Sequence, residues 1–178
     1  MPARKVVRTI VLSLFIPFIL IRAGLAQTTR AKYPLTQFDN EGCMAKGRVQ
    51  DCSGIVMEKI LADGKDAIPI LISQLTETAR AKKQIADYWG DTRSGDTAFV
   101  VLNDLFTGSD LRTFGLPGAM DWSTVQKGCN RAASACWDEF LRKHGRMSVR
   151  RSWRRAWDLH KDRIRWDVKA RCFRVFKD

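Results

Sequence analysis

The stretch SWRRAWDLHKDRIRWD, Ser152 to Asp167, interleaves tryptophans with arginines, and its period limits what the chain can fold into. On a helical wheel at about 100° per residue, Val149, Trp153, Ala156, Trp157, His160 and Ile164 fall within one arc of about 100°. Arg150, Arg151, Arg154, Arg155, Asp158, Lys161 and Asp162 fall on the other side. A helix of this pattern must lay its indoles against other elements, because each indole removes a large apolar area from water only when it is covered. The spacing therefore predicts a helix from Val149 to Ile164, with Trp153 and Trp157 in a core and the guanidinium groups facing water. A platform for stacking bases or sugars would need the opposite arrangement.

The rest of the chain supplies partners of the same kind. Ser53 is placed to cap a helix carrying Ile55, Val56, Ile60 and Leu61 and ending at Gly64. Asp66 is placed to cap a second helix, with Pro69 inside the first turn, where a missing N–H costs nothing. Ile68, Leu71, Ile72 and Leu75 then follow at i, i+3, i+4 and i+7, one apolar face. Asp96 is placed to cap a strongly apolar helix from Thr97 to Phe106, which reads as central. Asp121 is placed to cap a short segment from Trp122 to about Lys127. A further helix begins near Arg131 and ends at Gly145. No strand-like alternation occurs before residue 164. Beyond it, IRWD and RCFRV read as two short strands about a turn at Asp167 to Ala170, with Ile164, Trp166 and Val168 alternating. The expectation is an all-α single domain of short antiparallel helices closed by a small C-terminal β-hairpin.

The N-terminus reads as a leader. Arg4, Lys5 and Arg8 precede an apolar run from Thr9 to Ile21, and Gly24-Leu25-Ala26 offers small residues at the positions a signal peptidase reads. The run is short for a bilayer span, contains Pro17 and closes at Arg22. The division is thus a signal peptide over 1–26, a flexible arm over 27–42 and a helical domain over 43–178 with a basic part at 142–178. The protein is expected in the periplasm or secreted after cleavage near Ala26. Export places Cys43, Cys52, Cys129, Cys136 and Cys172 where disulfides persist. Proximity favours Cys43 with Cys52 and Cys129 with Cys136. An unbroken helix would hold the second pair about 10 Å apart along its axis. A disulfide needs Cα atoms within about 7 Å, so that bond requires a break between Gly128 and Ser134.

Charge is uneven. The chain carries a formal net charge of +12. Residues 27–141 hold 13 Lys and Arg against 15 Asp and Glu, whereas residues 142–178 hold 14 against 4, a local excess of +10. Such asymmetry points to an anionic partner. For an exported protein that partner is an acidic protein, an anionic envelope polymer or lipid, and not nucleic acid. The candidate surface comprises Arg142, Lys143, Arg146, Arg150, Arg151, Arg154, Arg155 and Lys161.

Two segments resemble a known family. KDAIPILISQL, Lys65 to Leu75, is similar to the helix of a HEAT-type repeat, in which an Ala-Ile-Pro-x-Leu pattern opens one helix of an antiparallel pair. Trp153-x3-Trp157 followed by KDRIRWD and RCFRV resembles the tail that closes helical-repeat domains of exported bacterial proteins. The resemblance implies a helical binding or scaffold domain and brings no catalytic residue with it. No period of about 40 residues recurs along the chain, as a solenoid would require.

Enzymatic motifs are not evident. His160 lies on the apolar face, and His144 stands at a helix end where a cation complements the helix dipole. Asp87, Asp91 and Asp96 match no established calcium loop. Asp138 and Glu139 are adjacent, so on a helix they diverge and do not flank one bond. No catalytic residue, metal ligand or cofactor is assigned. The sequence reads as an exported non-enzymatic binding or scaffold protein with a basic C-terminal surface; the alternative is a small hydrolase-like secreted enzyme whose site leaves no motif.

Overall fold

The computed structural model describes residues 33–38, 54–82, 91–106 and 115–177. The leader at 1–26, the residues Ser53, Cys43 and Cys52, and Asp87 lie outside the described residues. Helix α1 (Ile55–Asp63) passes through a 3-10 turn (Gly64–Asp66) into α2 (Ala67–Gln74). Helices α3 (Ser94–Phe106), α4 (Trp122–Gln126), α5 (Ala133–His144) and α6 (Arg146–His160) follow. A second 3-10 turn, Lys161–Arg163, leads into β1 (Ile164–Asp167), which pairs antiparallel with β2 (Cys172–Val175). The described residues are mostly helical, with one small sheet among them at the C-terminal end. No helix among the described residues is long and apolar enough to cross a membrane.

The core is built around α2 and α3. Ile68, Leu71, Ile72 and Leu75, the face predicted for α2, are all at most 2% exposed, and Ala67 and Ile70 are buried as well. So short a helix, apolar nearly all round, is stable only when enclosed. It packs on α3 and α6, while α3 also touches β2. Pro69 does sit in the first turn of α2, but the Asp66 side chain makes no capping bond. The backbone of the preceding 3-10 turn runs directly into the helix with helical torsions at Asp66, and the Ala67 N–H, the first of α2, is met by the Gly64 and Lys65 carbonyls of that turn.

Asp121, by contrast, caps α4 as expected, its carboxylate accepting from the Thr124 backbone N–H at 2.9 Å. The helix expected to begin near Arg131 begins at Ala133. Gly128 at φ +77° lies in the break before it. That break brings the Cα atoms of Cys129 and Cys136 to 5.8 Å, and the two form the disulfide. Gly145, at φ +74°, donates its N–H to the Leu141 carbonyl at 2.8 Å and turns the chain from α5 into α6.

Further expectations are corrected. Asp96 is not the cap residue of α3: the helix starts two residues earlier, and Asp96 reaches back to accept the Arg93 backbone N–H at 2.8 Å. This is the acidic half of a capping box, in which a carboxylate at the third helical position satisfies the N–H before the helix. The last helix ends at His160, so Ile164 is buried as the first residue of β1 instead of the last of a helix. Val168 belongs to the turn and is 80% exposed; the alternation stops at Trp166, which faces Phe173 across the ladder. Part of the arm expected over 27–42 is also fixed. Tyr33, Leu35 and Phe38 are buried. The Gln74 amide accepts from the Tyr33 N–H at 3.2 Å and donates to its carbonyl at 2.7 Å, so one side chain clips this segment to α2.

Candidate anionic-partner surface

Helix α6 divides as its period requires. Trp153 and Trp157 are 1% and 8% exposed. The Trp153 indole N–H donates to the Met120 carbonyl at 2.8 Å, which satisfies its polar atom inside the fold. The same helix lines, with Pro69, Ile72 and Ser73 of α2, a groove of about 570 Å³. Arg150, Arg151, Arg154 and Arg155 all contribute to it, together with Met147 and a single acid, Asp158. Arg150 and Arg154, like Arg151 and Arg155, are one helical turn apart, about 6 Å along the axis.

The guanidinium groups are only lightly engaged. Arg154 lies 3.8 Å from Asp158, with both side chains more than half exposed. Arg151 donates to the Ser148 hydroxyl at 3.0 Å. No ion pair among the described residues takes up Arg150 or Arg155. Exposed pairs of this kind contribute well under about 1 kcal/mol each, so the groove retains its positive charge.

The other predicted cations go elsewhere. Arg142 and Lys143 are exposed on the last turn of α5, and Lys143 borders a different cleft that holds the Cys129–Cys136 disulfide, Lys127 and Glu139. Lys161 is exposed in the 3-10 turn and does not line the groove. Arg146 turns mostly inward: its side chain is 17% exposed and donates to Asp96 at 2.6 Å.

That contact belongs to a buried polar centre which the sequence did not reveal. Asp96 is 2% exposed and accepts the Trp137 indole N–H at 2.6 Å through the oxygen that also receives Arg146. The Trp137 ring stacks on Phe99 with centroids 4.1 Å apart. One carboxylate thus ties the start of α3 to α5 and α6. Asp138, beside it and exposed on one side, has its carboxyl raised from the ordinary value, first by partial desolvation and then by the Asp96 charge, against opposing pulls from Arg146 and Arg93. With the folded-state pKa raised, folding favours the protonated form, so this group's contribution to stability is present at low pH and is lost as pH rises through the raised pKa. Asp138→Asn should therefore raise the melting temperature at pH 7 and leave it unchanged near about pH 3, where the group is protonated in both states. A lower melting temperature at pH 7 would contradict this assignment.

Of the remaining candidate groups, Asp91 is held by Arg80 and Arg93 at 3.2 and 3.0 Å, and Glu139 by Arg131. The Arg163 guanidinium lies 2.9 Å from His160 Nδ1. His144 rests on the Phe140 ring at 4.5 Å. No group of His, Cys, Asp and Glu among the described residues is arranged to hold a metal ion. No family model, no curated protein and no solved structure matches this chain.

Proposed function

We propose that this is an exported, non-enzymatic binding or scaffold protein that holds an acidic protein or an anionic envelope component in the α2–α6 groove. The observation that carries this reading is the convergence of four arginines on one concave surface with a single acid among them. A folded protein has no need of such a cluster, since like charges one helical turn apart repel. An anion lying in the groove would relieve that repulsion and gain charge-assisted, bidentate contacts. The HEAT-like character of Lys65–Leu75 fits a scaffold, as α2 supplies the second wall.

The test compares two charge-matched variants of the mature protein on a polyanionic resin and in pull-downs from envelope extract. Arg150→Glu/Arg154→Glu/Arg155→Glu should weaken capture by roughly ten- to a hundredfold at low salt, from three contacts of around 0.5–1 kcal/mol each. Arg142→Glu/Lys161→Glu/Lys169→Glu should leave most of it. Capture by the unaltered protein should fall steeply as salt shortens the Debye length. Equal losses in both variants would show that net charge alone is responsible and would sink the reading.

A further inference from the structure

A second cavity, of about 510 Å³, shares no lining residue with the arginine groove. It lies among α1, the turn that follows it, α3 and the terminal hairpin. Its walls are Ile60 and Leu61 from α1, Leu105 from α3, and Trp166 and Phe173 from the hairpin. The two rings meet edge to face, with centroids 5.0 Å apart. Leu61 and Trp166 remain 36% and 38% exposed, so apolar surface is left open to water in a concave setting. The charged side chains that reach this cavity are both cations, Lys65 and Arg165. Neither is engaged in an ion pair among the described residues, and no carboxylate lines the space.

These features select a ligand class. A neutral apolar molecule would cover two cations without compensating them, which is costly. A polyanion would leave the leucine, tryptophan and phenylalanine walls unused. A chain of methylenes ending in one negative group satisfies both halves, and the volume is that of a small-molecule site and not of a protein interface. We propose that this cavity binds a monomeric single-chain alkyl carboxylate, its chain against Leu61, Trp166 and Phe173 and its head group between Lys65 and Arg165. The site is independent of the arginine groove and stands or falls apart from it.

The test is titration calorimetry of the mature protein with octanoate, decanoate and dodecanoate, each kept below its micelle concentration. Affinity should rise about fourfold for each methylene that enters the cavity, the equivalent of about 0.8 kcal/mol. Decanol should bind at least about tenfold more weakly than decanoate, as should decanoate to Lys65→Glu/Arg165→Glu. Leu61→Glu should abolish binding. All three substituted side chains are at least partly exposed, and far-UV circular dichroism of each variant serves as the check that it folds. The Arg150→Glu/Arg154→Glu/Arg155→Glu protein should bind decanoate normally, which separates failure here from failure of the groove. Equal affinity for decanol and decanoate, or binding indifferent to Leu61→Glu, would overturn the proposal. So would capture by anionic vesicles without any binding of the monomeric acids.

Discussion

Gly95→Ala is expected to lower stability by about 3 kcal/mol or more, a loss of about 10 °C in melting temperature for a domain of this size. Helix propensity alone predicts the opposite sign, because alanine is favoured over glycine inside a helix by about 1 kcal/mol. The difference is steric. A Cβ at residue 95 would stand 2.6 Å from the Leu75 carbonyl oxygen, 2.7 Å from that of Glu77 and 2.8 Å from an Arg146 guanidinium nitrogen. Two of those three atoms are backbone, and Gly95 also donates its own N–H to the Glu77 carbonyl at 3.0 Å. Only a bare Cα lets the first turn of α3 come this close to the chain leaving α2. Gly64→Ala is a contrast: nothing lies within 4 Å of the added atom, but φ +55° with ψ −130° is a conformation L residues rarely adopt, so its cost of about 1–3 kcal/mol is backbone strain alone. A urea midpoint for Gly95→Ala equal to that of the unaltered protein would show that the close approach is not a constraint.

The second large effect lies next to it. Asp96→Ala should cost about 3–5 kcal/mol, the range for breaking a buried ion pair by deleting one partner. It strands Arg146, already enclosed, and removes the acceptor of the Trp137 indole N–H and the capping partner of the Arg93 N–H. Arg146→Met should also be costly, since it leaves a carboxylate that is 2% exposed without its cation. The double variant should be less unstable than the sum of the two single changes, with a coupling of about 1–3 kcal/mol. Strict additivity in denaturant unfolding would mean that the pair does not act as a unit.

What could be read from the sequence was local. The apolar face of α2, the cap at Asp121, the division of α6 and the break that lets Cys129 reach Cys136 each depend on residues within a few turns of one another. Period alone could not place Ile164, because the wheel marks it as inward-facing and a buried strand residue satisfies the same pattern. Asp96 was misplaced for a related reason. The apolar run begins near Ala98, so the carboxylate just before it has the spacing of a cap, while Ser94 and Gly95 resemble a loop. The polar centre itself was invisible because its partners, Trp137 and Arg146, lie 41 and 50 residues away along the chain. Arg146 accordingly counted as surface charge when it is structural. The same distance hid the bond between Tyr33 and Gln74 within a segment that looks like a tether.

The central claim is that the guanidinium groups of Arg150, Arg151, Arg154 and Arg155 on α6 are surplus to folding, unlike that of Arg146, whereas the indoles of the helix are not. Urea denaturation of Arg150→Glu/Arg154→Glu/Arg155→Glu tests it directly. The expected midpoint is close to that of the unaltered protein, the exposed Arg154 and Arg155 and the half-buried Arg150 each moving stability by no more than about 0.5 kcal/mol in either direction. A loss of about 3 kcal/mol or more would show that these arginines hold the helix in place and are not available to a partner.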